Sequence, residues 1–276
     1  MDFWQQVQIL SREISKEVGD RLLSDFGSAT AETKSDGSLV TESDRWADNF
    51  VKQALLKAFP DHAVLSEEDF HLFTDTPWTW VIDPIDGTTN FARGMPLWGI
   101  SIGLLYHGYP VFGHVYFPPI QQSFYGYWPG NSGLEMPTGA WLNGKPIRTT
   151  SDQPSNSHLF GICARSTAIV QHRVPAKLRM VGVTTYSFLS VAAGFMMGAV
   201  ESTPKIWDLA AVWPIFHAAG GHWVSLSNKD IFPADIGRNY GNYPLPSMVL
   251  ARGNITGIFE PAVRTGLGLP ENFCML

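Results

Sequence analysis

Residues 80–91 read Trp-Val-Ile-Asp-Pro-Ile-Asp-Gly-Thr-Thr-Asn-Phe and carry the most specific pattern in the chain. A hydrophobic strand ends there in two carboxylates, Asp83 and Asp86, separated by a proline that stiffens the turn. Such a turn allows both carboxylates and the carbonyl oxygen of Ile85 to converge on one point. Mg²⁺ typically takes one or two carboxylates together with water and phosphate oxygens. The segment therefore predicts a magnesium site.

The residues that follow, Gly87 to Thr89, predict the start of a helix beside that metal site. The first N–H groups of a helix have no partner within the helix, and they form a ready site for phosphate. A simpler interpretation stays open for this segment taken alone, because an Asp-Pro-x-Asp-Gly turn that merely caps a helix is common.

Four further acidic residues accompany this segment. Glu67 and Glu68 follow the apolar residues 63–65, Asp208 stands at the start of an apolar helix, and Asp44 follows a Thr-Glu-Ser sequence. Each has an ordinary alternative, since paired carboxylates after a strand form solvated turns and single carboxylates cap helices.

Composition excludes several classes of protein. The chain has 276 residues, of which 45% are hydrophobic and 16% charged, so it can bury a large core and is not mainly disordered. Its net charge is -6, with 19 Lys and Arg residues and no basic run, which argues against a dedicated nucleic-acid binder.

Cysteine usage and apolar runs predict the compartment. Cys163 and Cys274 lie far apart and show no zinc-binding spacing, so neither a disulfide framework nor a zinc site is expected. The first residues lack the pattern of a signal peptide, and no apolar run reaches the roughly 18 residues of a membrane span. We expect a soluble cytoplasmic protein.

Hydrophobic periodicity predicts layered α/β structure with an antiparallel meander over residues 97–128. Predicted helices cover residues 3–23, 43–59, 185–197, 207–219 and 255–265, and further strands cover residues 63–65, 78–82, 159–163 and 247–251. A subdomain boundary is expected near residues 149–156.

The motifs together resemble the inositol monophosphatase family. The resemblance is carried by Asp-Pro-Ile-Asp-Gly-Thr-Thr-Asn-Phe at 83–91, Trp-Asp-Leu-Ala-Ala at 207–211, Ala-Gly-Gly at 219–221, Val-Thr-Glu-Ser-Asp at 40–44, Glu-Glu at 67–68 and Gly-Ala-Trp-Leu-Asn-Gly at 139–144. It implies an α+β fold, a layered αβαβα sandwich of the sugar-phosphatase type with a mainly antiparallel N-terminal sheet and a second mixed sheet. It also implies one phosphatase domain over residues 1–276, with possible subdomains 1–150 on the metal side and 151–276 on the substrate side.

The resemblance further implies a site with two to three Mg²⁺ ions. Asp83 would bridge two ions, Glu67 and the Ile85 carbonyl would complete the first site, and Asp86 and Asp208 the second. A third, weaker ion would depend on Glu67 and water.

Catalytic and phosphate-binding roles come from the same comparison. Thr88, hydrogen-bonded to Asp44, would help Glu67 and a metal to orient and deprotonate the attacking water. Asp86 and the amides of Gly87 and Thr88 would hold the phosphate.

On the substrate side, Glu201 matches a carboxylate that accepts from a substrate hydroxyl, and Gly182, Val183 and Thr184 match a segment that lines the pocket. Val183 departs from the family pattern, since a small or hydroxylated residue is common there.

The predicted reaction is Mg²⁺-dependent hydrolysis of a small phosphate monoester by metal-activated water. Inositol 1-phosphate is the first substrate expected, histidinol phosphate the second, and nucleotide 3′,5′-bisphosphate or fructose 1,6-bisphosphate the third. A non-enzymatic binding protein on the same fold is the rival. The resemblance also implies lithium sensitivity and a homodimer. The charge and the lack of long apolar runs predict no nucleic-acid or membrane partner.

Overall fold

Two large β-sheets with helices between and outside them form the fold, in a computed structural model that describes residues 2–28, 30–34, 39–69, 71–227 and 229–263. A third, two-stranded sheet pairs residues 31–33 with residues 39–41. Within these residues, no helix combines the length and apolar character needed to cross a membrane. Cys274 and the last two residues of the helix predicted over 255–265 lie outside the described residues.

The α-helices are α1 (Phe3–Asp25), α2 (Glu42–Ala58), α3 (Thr88–Ala92), α4 (Thr184–Ala192), α5 (Ile206–Ala210), α6 (Val212–Ala218) and α7 (Thr256–Phe259). The strands are β1 (Ala31–Thr33), β2 (Leu39–Thr41), β3 (Ala63–Ser66), β4 (Trp78–Asp86), β5 (Gly99–Tyr106), β6 (Tyr109–Phe117), β7 (Gln122–Tyr127), β8 (Gly139–Leu142), β9 (Lys145–Pro146), β10 (Leu159–Ile162), β11 (Lys177–Arg179), β12 (Gly198–Glu201), β13 (His222–Ser225) and β14 (Ser247–Leu250).

The larger sheet has the strand order β3-β4-β5-β6-β7-β8-β9. Among the described strands of this sheet, β3 and β4 pair in parallel and the other pairs are antiparallel, which confirms the predicted meander. Helices α1 and α2 contact one face of this sheet through α1–β6 and α2–β4 contacts. Their apolar stripes form one core with the large aromatic side chains of Trp80 and Trp98, both fully buried.

The smaller sheet has the order β11-β10-β12-β14-β13 and mixes parallel with antiparallel pairs. Helix α6 contacts β6 and β7 of the larger sheet, whereas α4 contacts β12 and β14 of the smaller one and also α6. These helices therefore form the layer between the sheets, and the predicted layered fold is confirmed.

The boundaries of three predicted helices were wrong. Residues 207–219 form α5 and α6 rather than one helix, since Pro214 has no N–H to donate to the carbonyl of Ala210. Helix α4 ends at Ala192, before Gly194 in a left-handed conformation (φ +77°). Up to residue 263, the predicted last helix is only α7 flanked by two 3₁₀ turns.

Three glycines in register across β5, β6 and β7 allow the α5–α6 segment to lie directly on the larger sheet. Gly103 pairs with Gly113, which pairs with Gly126. A Cβ at Gly113 would lie 1.8 Å from the carbonyl oxygen of Ala211, and one at Gly103 would lie 2.8 Å from the carbonyl carbon of Ala210. This contact between backbones sets the depth at which α5 is held.

We expect Gly113→Ala to destabilise the protein by about 3 kcal/mol, because the added methyl group overlaps backbone that cannot rotate away. The free energy of unfolding in urea measures this change. Gly257→Ala is the matched control, since a Cβ at Gly257 meets no atom within 4 Å. Equal stability of the two variants would contradict the proposed close contact.

Candidate active site

The end of β4 brings two of the predicted carboxylates together. The pairing of β4 with β5 is irregular between Asp83 and Asp86, as in a β-bulge, and such a bulge re-aims side chains. Oδ1 of Asp83 accepts a hydrogen bond from the Ile85 amide at 3.0 Å, which fixes the turn. Both aspartates are buried, with exposed fractions of 1% and 6%.

Asp208 joins them from a helix. It is the third residue of α5, and its Oδ2 accepts from the Lys205 amide at 2.6 Å, which holds the carboxylate at the start of the helix. One ligand atom each of Asp83, Asp86 and Asp208 lie within 4.8 Å of one another. The structure therefore brings these three predicted site residues together.

Glu67 extends this group on the side of β3. Because β3 and β4 are parallel, their carboxyl ends meet at the same edge of the sheet. Lys34 reaches the same corner, with its Nζ 3.2 Å from Oε1 of Glu67 and 2.7 Å from Oε1 of Glu68.

Burial, and after it the charges of neighbouring carboxylates, raise the pKa values of these acids. Burial raises the pKa of Asp83 well above its ordinary value, and the Glu67, Asp86 and Asp208 carboxylates raise it further. Burial and then Asp86 raise the pKa of Asp208 in the same way. Burial raises the pKa of Glu67 to about 7, against the opposing effect of Lys34. Such a set of oxygen donors fits a hard divalent cation, whose charge would remove the repulsion.

Thr88 and Asp44 form a hydrogen-bonded pair beside the cluster. Oγ1 of Thr88 lies 3.3 Å from Oδ1 of Asp44 and 3.1 Å from the Ile85 carbonyl oxygen. Asp44 is itself held by a capping box, because its Oδ2 accepts from the amide and the hydroxyl of Thr41. Burial raises the pKa of Asp44 to about 6. The predicted contact between Thr88 and Asp44 is present.

Gly87 requires the absence of a side chain for two reasons. Its φ of +91° is in the left-handed region that favours glycine. A Cβ there would also lie 2.7 Å from Cγ2 of Val183. Val183 is buried, and its side chain packs against this turn.

The segment before α4 is fastened to the same turn. Nδ2 of Asn90 donates to the carbonyl oxygens of Leu97 and Val181, both at 2.9 Å. Gly182 has a φ of +72°, and a Cβ there would lie 3.1 Å from Oδ1 of Asn90. Gly182, Val183 and Thr184 therefore border the turn at residues 87–90.

Glu201 lies at the end of β12 and is 5% exposed. Burial and the neighbouring Cys163 thiol raise the pKa of Glu201 well above its ordinary value, and the charge of Asp86 adds to this effect. Glu201 is therefore within electrostatic reach of the acidic cluster, on the side of the smaller sheet.

Thr185 is a site residue that the sequence analysis missed. Its amide and its hydroxyl donate to Oδ2 of Asp86 at 2.8 and 2.5 Å. Burial raises the pKa of Asp86, and these two hydrogen bonds act against that rise. No local spacing connects Thr185 with Asp86, because 99 residues separate them in sequence. Lys34 was likewise not predicted to contact Glu67 and Glu68.

Comparison with known proteins agrees with this geometry. The profile of the inositol monophosphatase family matches residues 4–254. This chain belongs to the inositol monophosphatase family. Its relatives are phosphatases, and the chain is a phosphoric monoester hydrolase of a family that is generally metal-dependent.

Individual relatives carry different substrate names. An inositol-1-monophosphatase of Synechocystis is 34% identical over 212 residues, covering 72% of this chain and 70% of that protein. A histidinol-phosphatase of Chlorobaculum parvum is 29% identical over 222 residues, covering 77% and 83%. Among solved structures, the IMPase of Thermotoga maritima superposes with a TM-score of 0.75 at 25% identity, covering 92% of this chain and 94% of that one.

We expect Mg²⁺ to raise the melting temperature, and the rise to grow as the pH increases from about 5 to 8. Without metal, Glu67 has a pKa of about 7 in the folded state against 4.5 as its ordinary value. The folded state then binds more protons, so its stability falls as pH rises through this range. Mg²⁺ removes that loss because it binds the ionised carboxylates.

Thermal melts in MgCl₂ and in EDTA, at matched ionic strength and several pH values, test this expectation. The difference between the two melts cancels contributions from histidines elsewhere. A difference that is absent, or that shrinks with rising pH, would contradict the assignment of a metal to these carboxylates.

Proposed function

We propose that the protein hydrolyses inositol 1-phosphate or a closely similar small phosphate monoester in a Mg²⁺-dependent reaction. The observation that supports this proposal most is the convergence of Asp83, Asp86 and Asp208 beside the left-handed Gly87 turn. A divalent cation and a phosphate group would then occupy neighbouring positions.

Two to three Mg²⁺ ions would be held by Glu67, Asp83, the Ile85 carbonyl, Asp86 and Asp208. When bound, Mg²⁺ neutralises phosphate charge, lowers the pKa of water and stabilises the leaving oxygen.

The attacking water would be oriented by Glu67 and Thr88. The Thr88 hydroxyl has one proton, and the Asp44 carboxylate and the Ile85 carbonyl oxygen both lie within its reach. With that proton donated to either acceptor, the Thr88 oxygen is left to accept a hydrogen bond from the water. Glu67 accepts the proton that the water loses.

The phosphate would be bound by the amides of Gly87 and Thr88. A side chain at position 87 would collide with Val183, so the backbone alone forms this surface. Asp86 would touch the phosphate region from the turn before it.

Glu201, Gly182, Val183 and Thr184 would contact the alcohol part of the substrate. The carboxyl group of Glu201 would accept a hydrogen bond from a substrate hydroxyl, as a polyol would offer. Histidinol phosphate is the second candidate, because an ionised Glu201 would pair with its ammonium group and a relative carries that name.

A panel of substrates tests the proposal. We expect phosphate release from inositol 1-phosphate to exceed that from histidinol phosphate, a nucleotide 3′,5′-bisphosphate and fructose 1,6-bisphosphate by at least about tenfold in kcat/KM, or about 1.4 kcal/mol. A tenfold preference for histidinol phosphate would reassign the substrate. Mg²⁺-independent or absent release from all four would favour the rival, a binding protein on this fold.

Asp83→Asn should abolish hydrolysis while making the metal-free protein more stable. The change removes the carboxylate that its three neighbours repel and keeps the side-chain shape. Phosphate release and urea unfolding in EDTA measure the two effects. Asp61→Asn, at an exposed position, is the control and should change neither. A metal-free Asp83→Asn protein that is less stable than wild type would contradict the repulsion argument.

Inhibition by Li⁺, a homodimeric state, a cytoplasmic location and the subdomains 1–150 and 151–276 stay predictions from the sequence. Li⁺ would compete with a weakly held Mg²⁺ at Glu67.

A further inference from the structure

Each carboxylate of the Asp83–Asp86–Asp208 cluster has one oxygen fixed by a backbone amide. The three amides differ in their distance along the sequence from the carboxylate that they bind. Asp83 accepts from Ile85, two residues away, and Asp208 accepts from Lys205, three residues away. Asp86 accepts from Thr185, which is 99 residues away. Two of the three aspartates are therefore fixed by their own turns, whereas the third depends on the contact between distant parts of the chain.

The sequence at the start of α4 explains why Asp86 accepts a hydrogen bond from this helix. A helix normally begins at a Ser, Thr, Asp or Asn whose side chain accepts from the second or third amide of the helix. The residue at the start of α4 is Val183, which has no such oxygen and makes no side-chain cap. Asp86 supplies the missing acceptor to Thr185, the second residue of α4.

The Thr185 side chain strengthens this contact. It is fully buried, and its hydroxyl donates to the same Oδ2 atom that accepts from its amide. A β-branched side chain has few rotamers in a helix, so the hydroxyl is held in place before any metal binds. With Oδ2 occupied by two donors, Oδ1 of Asp86 is the oxygen left for a cation.

We propose that Thr185 is a positioning residue for Asp86, which fixes one oxygen of this carboxylate and directs the other toward the metal. The inference rests on the proposed function, in that Asp86 is taken as a Mg²⁺ ligand. It adds a link through which Mg²⁺ binding in the N-terminal half stabilises α4 in the C-terminal half.

Calorimetric titration with MgCl₂ alone tests this role without substrate. We expect Thr185→Val, which keeps the shape and removes the hydroxyl, to weaken the Mg²⁺ site that Asp86 serves about tenfold, or about 1.4 kcal/mol. Thr185→Ser keeps the hydroxyl and should bind Mg²⁺ within twofold of wild type. Thr79→Val, at a buried threonine elsewhere on β4, should also stay within twofold.

Steady-state kinetics separates positioning from a general structural role. In Thr185→Val the Mg²⁺ concentration for half-maximal activity should rise about tenfold, with kcat at saturating Mg²⁺ within about threefold of wild type. Wild-type Mg²⁺ affinity in Thr185→Val, or equal weakening in Thr185→Ser, would overturn the inference.

If Thr185→Val does not fold, hydrogen exchange of the wild-type protein still tests the inference. Saturating Mg²⁺ should slow hydrogen exchange of the Thr185 amide at least about tenfold, because the metal fixes its acceptor. Unchanged exchange would overturn the inference.

Failure of the proposed function and failure of this inference give different results. If wild type binds Mg²⁺ with these properties and hydrolyses no monoester, the proposed function fails and Thr185 keeps its role. If hydrolysis is Mg²⁺-dependent and Thr185→Val binds Mg²⁺ normally, only the role of Thr185 fails.

Discussion

Repulsion between carboxylates that are held close together and away from water is the constraint on which this structure depends. Glu67, Asp83, Asp86 and Asp208 would each gain by moving into solvent or by taking up a proton, and their raised pKa values record that tendency. They stay together because hydrogen bonds and packing elsewhere outweigh the cost. The repulsion that destabilises the metal-free cluster would favour binding of a divalent cation, because closely spaced negative charges attract positive charge strongly.

The fold provides two kinds of support for this assembly. Local support comes from the bulge at the end of β4 and the first turn of α5, each of which ties a carboxylate to an amide nearby in sequence. Long-range support comes from the layer of helices between the sheets. The glycines of β5, β6 and β7 allow α5 and α6 to approach the larger sheet, and Thr185 joins α4 to Asp86.

The locally supported part of the site could be predicted from sequence, and the rest could not. Asp83, Asp86 and Gly87 belong to one turn of a few residues, so their spacing alone indicates that the two carboxylates converge beside the start of a helix. Glu67 and Asp208 were joined to them only through the family resemblance, because nothing in a single sequence shows which strand ends are neighbours. The role of Thr185 could not be predicted because its partner Asp86 is 99 residues away in sequence. The sequence around Val183 also does not show that α4 lacks a side-chain N-cap. Pro214 did carry a readable signal for the break between α5 and α6.

In the proposed function, the same division separates the phosphate chemistry from substrate choice. The edge of the larger sheet and the start of α5 hold the acids, whereas Glu201 and the segment before α4 belong to the smaller sheet and its helices. Val183 and Thr185 lie where these two parts of the site meet. Val183 packs against Gly87, and Thr185 donates a hydrogen bond to Asp86. A substitution that reshapes the segment at residues 182–184 for a new alcohol will therefore also disturb the Gly87 turn and the Asp86 carboxylate. In this chain, a change in the segment before α4 that alters substrate preference should carry a change in Mg²⁺ affinity with it.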